Sequence, residues 1–381
     1  MMETTCASLI APSPAGARAA FQAFLPRVDA YAAERNFDRG PGRHDAVSQL
    51  SPVISTRLID EETVVRTTLA HHSWAASEKF IQEVCWRTYW KGWLEMRPAV
   101  WNDFAGDLEA LERLRILPVH TEAIEGRTGI ECFDAWVEEL LSTGYLHNHA
   151  RMWFASIWIF TLRLPWQWGA AFFLRHLLDG DAASNTLSWR WVAGLQTAGK
   201  CYAARASNIA KFTGGRFSET PGLANDPSPV EDLRQYERQP LEMPPTVSAD
   251  GRAGLLLTTE DVTHDDALSF EPAAVAGWWH PSGWRSDTVE HFRRDALHSR
   301  TDRLLSNNEM LREWMREERL DRVIVPWAAV GPERDCLLPQ LEGVPVTWSL
   351  RDWDRMLWPY AERGYFHFKK RIEPIVRQTF A

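Results

Sequence analysis

The stretch GYLHNHARMWFASIWIFTLRLPWQWGAAFFLRHLLDGDAASNTLSWRW, residues 144–191, decides the fold. It is apolar, rich in tryptophan and free of period-two alternation, so it reads as packed helices. Within it Asn148, Arg151 and Met152 stand at i, i+3 and i+4, on one face of a helix too apolar to expose. Polar groups held there need partners. Asp179 and Asp181, one residue apart, supply candidates, because two neighbouring carboxylates are buried only when a cation or donor compensates each. An Arg151–Asp179 pair satisfies both demands. A solvated turn that ends one helix and caps the next is the other reading of Asp179-Gly180-Asp181. Asn185, Trp189 and Trp191 follow within ten residues of Asp181.

Outward from this stretch, 381 residues exceed one ordinary core and predict two domains. The net charge of −9 excludes a chain that coats nucleic acid or anionic membrane by bulk charge. Its distribution is uneven. Residues 151–218 carry eight basic side chains (Arg151, Arg163, Arg175, Arg190, Lys200, Arg205, Lys211, Arg216) against two acidic ones, so this region has either a basic face or scattered solvated charges. From residue 226 onward twenty basic residues face twenty-seven acidic ones. Five cysteines (Cys6, Cys85, Cys132, Cys201, Cys336), without C-x-x-C spacing, fit neither a disulfide framework nor a zinc site, and a reducing cytoplasm is expected. The most apolar run, 152–174, is broken by Arg163 and Pro165, so no membrane span or signal peptide is expected.

Apolar spacings of three and four predict helices over 14–36, 74–96, 132–142 and 148–162. The first half is therefore mainly α. Six prolines between 218 and 253, among Glu, Asp and Ser, predict a linker. Beyond it, 254–258, 322–325 and 344–347 read as strands separated by helical segments such as 303–318, giving a smaller α/β domain with a parallel sheet. The expected division is 1–217 helical, 218–253 linker, and 254–381 α/β.

In F80-I-Q-E-V-C-W-R87, the residues Phe80, Glu83, Arg87 and Trp90 share one helical face, with Trp86 beside it. Either this is a pocket wall, or Glu83 and Arg87 form an ordinary intrahelical pair worth about 0.3 kcal/mol. The clusters His147-Asn148-His149, His71-His72 and Thr263-His264-Asp265-Asp266 lack the third well-spaced partner of a metal site, so no metal is expected.

Five blocks, in order, resemble the flavin-binding core of the photolyase and cryptochrome family. They are Tyr31-x-x-x-Arg35-Asn36, Ser48-Gln49-Leu50-Ser51-Pro52, Phe80 to Arg87, Thr128-Gly129 through Asp134-Ala135, and 146–191. The resemblance covers about residues 14–217 and implies that family's helical FAD-binding domain. It implies a folded-back FAD, with Ser48, Leu50 and Ser51 at its phosphates, Tyr31 nearby, and Phe80, Glu83, Arg87, Asn148, Arg151, Asp179 and Asp181 around it. Asn185 would face flavin N5, Trp189 would be the first electron donor and Trp166 the second. Glu83, Trp86, Met152 and Trp191 match positions that contact a flipped pyrimidine dimer.

The resemblance therefore implies a light-dependent flavoprotein acting on dimer-containing DNA, single strands included. Its alternative is a blue-light photoreceptor that signals to a protein partner through the acidic C-terminal half. Departures accompany it: Phe80 replaces tryptophan, and His149 stands at a position commonly arginine. The stretch EALERLR, residues 109–115, carries no third tryptophan, so an exit through Trp136, Trp153 or Trp158 is expected. The family's N-terminal antenna domain is expected to be absent, and no antenna chromophore is expected. V323-IVPWAAVGPER-D335 faintly resembles an antenna strand and helix, or else an ordinary strand-to-helix turn with Pro near its start.

Overall fold

The computed structural model describes residues 10–113, 117–197 and 199–380. Residues 114 and 115 of the EALERLR stretch and Cys6 lie outside them. The chain is mostly helical through residue 212 and adds a small parallel sheet beyond residue 252.

Helix boundaries follow local chemistry. Ser73 caps the helix Trp74–Glu95, its hydroxyl accepting from the Ala76 amide, and this 22-residue element matches the predicted 74–96. Helix Glu131–Thr143 ends on Gly144 in the left-handed region, and Ala182–Ala193 ends on Gly194 in the same way. The continuous helix predicted over 14–36 is instead broken into Pro14–Phe24, the 3₁₀ turn Leu25–Arg27 and Tyr31–Glu34. Pro26 lacks the amide that would have carried it through. The segment predicted helical over 148–162 holds an α-helix only over Asn148–Ser156 and then widens to a π turn, Ile157–Thr161. His147 is the N-cap of that helix.

The linker contains no helix or strand from 218 to 252. It is nevertheless docked along the helical half. Val230 N–H donates to the Ala193 carbonyl (2.9 Å), Gln239 N–H to that of Met96 (2.8 Å), and the Tyr236 hydroxyl to Asp103 (2.9 Å).

Strands β1 (Ala253–Leu257), β2 (Ala274–Trp278), β3 (Leu304–Leu305), β4 (Arg322–Pro326) and β5 (Val346–Ser349) form one parallel sheet in the order β3-β2-β1-β4-β5. The predicted runs became β1, β4 and β5, whereas β2 and β3 carried too few β-branched residues to be read. The helix expected from 303 begins only at Asn308, because Asn307 is its N-cap and residues 304–305 pair with β2. In such doubly wound sheets the crevice beyond the carboxyl ends of the strands, where the order reverses, is the usual ligand position. Here that end, between β1 and β4, meets the helical half. Glu260 pairs with Lys91 (3.2 Å), while buried Arg293 donates to the carbonyls of Thr259 (3.2 Å) and Gly180 (2.7 Å).

The two halves share a core as well as charges. Trp358 packs so closely on helix Trp74–Glu95 that a Cβ at Gly92 would stand 2.9 Å from its ring. Glycine in a helix interior costs about 0.5–1 kcal/mol, and here it admits a buried indole. A second junction centres on Arg57, paired with Asp354, Asp261 (3.1 Å) and Glu61 (3.5 Å), with Arg351 on Asp261 (2.6 Å) and Asp60 (3.2 Å). Among the described residues, no helix is long and apolar enough to cross a membrane.

Candidate functional site

The Asp179-Gly180-Asp181 turn joins helices Trp166–His176 and Ala182–Ala193 and holds both carboxylates inside. Arg151 Nη1 donates to Asp179 at 3.0 Å, the predicted pair, while its Nε donates to the Leu146 carbonyl at 2.8 Å. Asp181 accepts from Arg87 (3.1 Å), lies 3.5 Å from Lys91, and caps its helix by accepting from the Ser184 amide (2.7 Å). It is therefore both the cap and the counter-ion. Burial opposes ionisation at Asp181, but Lys91 and Arg87 outweigh it and hold the carboxyl down to about 2. At Asp179 burial likewise works against the charge, and Arg151 and Arg87 hold the carboxyl below its usual range.

The Glu83–Arg87 pair does not form as read from the sequence. Arg87 turns to Asp181, and Glu83 is taken by Arg35 (3.0 Å) and Lys79 (2.9 Å). Phe80 is buried against Phe24 and Tyr31, at ring separations of 5.4 and 5.3 Å, so Tyr31, Arg35, Phe80 and Glu83 form one wall. Ser48 and Ser51 are half-buried beside buried Leu50, whose amide N–H donates to the Ser48 hydroxyl at 3.4 Å. Gln49 between them is in the left-handed region (φ 54°), a conformation that turns the loop sharply. Asn148 is exposed at the start of its helix and Met152 is half-buried. Asn185 is buried, with one amide N–H donating to the Ala170 carbonyl (2.7 Å).

Trp189 is buried and makes ring contacts with Phe154, Trp158 and Phe173, whereas the ring contact of Trp166 is with Phe104. Trp191 is exposed and stacked on Tyr202. Trp86 lies parallel to Tyr365, with centroids 3.4 Å apart and planes 9° from coplanar. Sequence reasoning missed Tyr365, which lies nearly three hundred residues away in the last helix, Tyr365–Phe380. It also missed Lys91, although a lysine four residues after Arg87 on a buried face carried the signal.

Two buried polar atoms here, one donor and one acceptor, suit a ligand that carries both kinds of group. Buried Trp189 Nε1 and Asp179 Oδ1 lack hydrogen-bond partners, the Ser51 hydroxyl being the near group that helps hold the Asp179 charge. Such orphaned polar groups are costly unless a ligand meets them.

Two other clusters are built for structure. Asp38, His44 and Glu139 each place a ligand-type atom within 4.8 Å of the others. His44, however, is held by Glu139 through Nε2 at 2.6 Å, its Nδ1 stands 4.0 Å from Asp38 without a hydrogen bond, and Asp38 already accepts from Arg216, Trp136 and the Gly40 amide. Ser349, His264 and Asp261 are spaced 2.7 and 2.9 Å, as a nucleophile, base and carboxylate would be. Yet Ser349 is only 6% exposed, and Asp261 is shared with Arg351 and Arg57, so the hydroxyl has no open approach.

Residues 80–215 match the family model described as the FAD binding domain of DNA photolyase. The chain is 35% identical over 155 residues to a deoxyribodipyrimidine photo-lyase of Streptomyces griseus, covering 40% of this chain and 33% of that protein. It is 36% identical over 198 residues to that of Thermus thermophilus, covering 48% and 41%. A solved bacterial class III photolyase of Agrobacterium tumefaciens aligns with 54% of this chain and 44% of its own, at 26% identity and a TM-score of 0.46. The match thus spans about a third to two-fifths of the length of these curated relatives. Residues 80–215, which carry the two buried carboxylates and their cationic partners, are thus similar to the FAD binding domain of DNA photolyase across about a third of this chain.

Proposed function

We propose that the helical half, residues 1–217, binds FAD and uses light to move single electrons, and that its substrate is a pyrimidine dimer in DNA. One observation carries the reading. Asp179 and Asp181 are kept ionised inside the protein by Arg151, Arg87 and Lys91, and the helix that Asp181 caps carries a buried indole, Trp189, whose N–H has no partner. Ser48, Leu50 and Ser51 would hold the phosphates, and Tyr31, Phe80, Glu83, Asn148 and Asn185 would complete the pocket. The cofactor supplies the light absorption and the electron; the protein fixes its position and excludes water. Met152 and Trp191 are accessible enough to meet a flipped base, and stacking there would contribute about 1–3 kcal/mol per base. Of the eight basic residues of 151–218, Arg151, Arg190 and Arg216 are used in internal pairs, while Arg163, Arg175, Lys200, Arg205 and Lys211 remain exposed for a phosphate backbone. The test is direct. Protein purified with reduced FAD should split dimers in an oligonucleotide under blue light and not in the dark, and unchanged dimers under light would refute the repair role.

A photoreceptor role is favoured by Tyr365. Its ring covers one face of Trp86, and its hydroxyl donates to the Gln82 carbonyl at 2.6 Å, so the last helix occupies a position that a lesion would use. On that reading the linker and the α/β half, residues 254–381, would carry the signal to a protein partner. Tyr365→Leu separates the two roles, since it stays apolar but loses both the hydroxyl bond to Gln82 and a stack worth about 0.5–1.5 kcal/mol. If the site serves repair, the variant binds dimer-containing DNA about tenfold more tightly than the wild type. If it serves signalling, DNA binding is unchanged and the protease sensitivity of 218–381 rises, even in the dark. Fluorescence anisotropy and limited proteolysis read the two outcomes.

A further inference from the structure

We propose that an electron lost from Trp189 is replaced through Trp158 and Trp168, with Trp158 and not Trp166 as the second carrier; this rests on the flavin reading of the site. Three independent features support the route. The first is geometry. Trp158 is fully buried and meets Trp189 edge to face at 6.3 Å between centroids. His120 then lies 5.8 Å from Trp158 and stacks on half-buried Trp168 at 4.5 Å, so a continuous line of rings runs from the core to the surface.

The second feature is charge. A tryptophan that gives up an electron becomes a radical cation, and a nearby fixed cation disfavours that state. The Arg190 guanidinium stands 5.9 Å from the Trp166 ring centroid, with its nearest carboxylate, Asp232, at 4.0 Å. Neither Trp158 nor Trp168 has a cation stacked on it among the described residues, and burial lowers the His120 pKa, favouring the neutral form of the ring between them. The hole is therefore better accommodated on Trp158.

The third feature is Gly169. A Cβ at this position would lie 2.3 Å from the Trp189 ring and 3.0 Å from Trp158 Nε1. Glycine inside helix Trp166–His176 is unfavourable by propensity, and here its missing side chain is what lets the two indoles meet. The Trp158 ring is further fixed by its N–H donating to the Pro165 carbonyl at 2.9 Å, from the π turn that interrupts the preceding helix. Single π turns are frequent at functional positions.

The electron balance is closed by a thiol in solution. Once Trp189 has lost one electron, Trp158 gives it one and carries the hole; Trp168 gives one to Trp158 and carries it in turn. At the surface a thiol refills Trp168, and each pair of thiols yields one disulfide, two protons and two electrons.

Transient absorption of the FAD-loaded protein, at several dithiothreitol concentrations, tests the route by the yield and decay of the long-lived tryptophan radical. Trp158→Phe should lower that yield at least tenfold. Trp168→Phe, at the half-buried end where folding is not at risk, should remove the dependence of radical decay on thiol concentration. A tenfold loss in Trp166→Phe, with Trp158→Phe and Trp168→Phe both within twofold of wild type, would overturn the route and leave the flavin reading intact. A preparation that takes up no FAD is colourless before any flash, and it would overturn both.

Discussion

Arg57→Met is expected to destabilise the protein by about 3–5 kcal/mol, the cost of leaving buried carboxylates without their cation. Arg57 lies where the helical half meets the α/β half, with its guanidinium divided among Asp354, Asp261 and Glu61. All three acids are buried. Burial raises the Glu61 pKa even with Arg57 present, so without it Glu61 would bind a proton at neutral pH more readily still. Asp261 would fare better. Burial opposes its charge, but Arg351 and His264 act alongside Arg57 in holding it well below the usual range, and two of the three remain in the variant. Asp354 therefore bears most of the loss. A second substitution, Asp354→Asn, should then recover part of the stability lost in Arg57→Met, although it is destabilising alone. Urea unfolding of the four proteins of this cycle measures the coupling. Equal and additive losses would mean that Arg57 serves packing and not charge.

The helical half was legible because its signals are local. The period of 74–96 places Phe80, Glu83 and Arg87 on one helical face, and the burial of Asp179 required a cation that Arg151 was spaced to provide. What escaped the sequence was long-range. Nothing near Trp86 announces Tyr365, and nothing near Glu83 announces that Arg35 will take it from Arg87. Charges in a packed interior choose partners by three-dimensional position, and intrahelical spacing is only one of the options open to them. The α/β half was read more coarsely for a different reason. Strand β3 is two residues long and β2, AVAGW, contains one β-branched residue, so their places in the sheet come from pairing, β2 with β1 and β3 with β2, and not from propensity. The composition of 218–253 was read as a linker, and its amides and side chains are fastened to the helical surface. Proline prevents a ladder but does not prevent docking.

Asp181→Asn carries the second large expected effect, and it separates two roles of one carboxylate. Asparagine retains the cap on helix Ala182–Ala193, since its side-chain oxygen can still accept from the Ser184 amide, so helix initiation is preserved. What is lost is the negative charge. Lys91 keeps Glu260, while Arg87, with its side chain 11% exposed, is left without its 3.1 Å partner. The expected cost at neutral pH is about 2 kcal/mol, which corresponds to the fall of the Asp181 pKa from an ordinary 3.8 to about 2. The sign of the pH dependence follows. A depressed carboxyl pKa stabilises the fold fully above the unfolded value and loses that contribution as pH falls toward the folded one. Wild type should therefore lose about 2 kcal/mol on this account between pH 4 and pH 2, and Asp181→Asn should not show that component of the slope. Unfolding free energies at closely spaced pH values measure it. An identical slope in both proteins would place the titration on another carboxylate. FAD retention supplies the functional arm. Arg87 and Lys91 are oriented by Asp181, and with that anchor gone the variant should release FAD on gel filtration, with affinity weaker by roughly tenfold or more, the equivalent of one charged hydrogen bond. Retention equal to wild type would mean that the cofactor is held by the Arg151–Asp179 side of the turn alone.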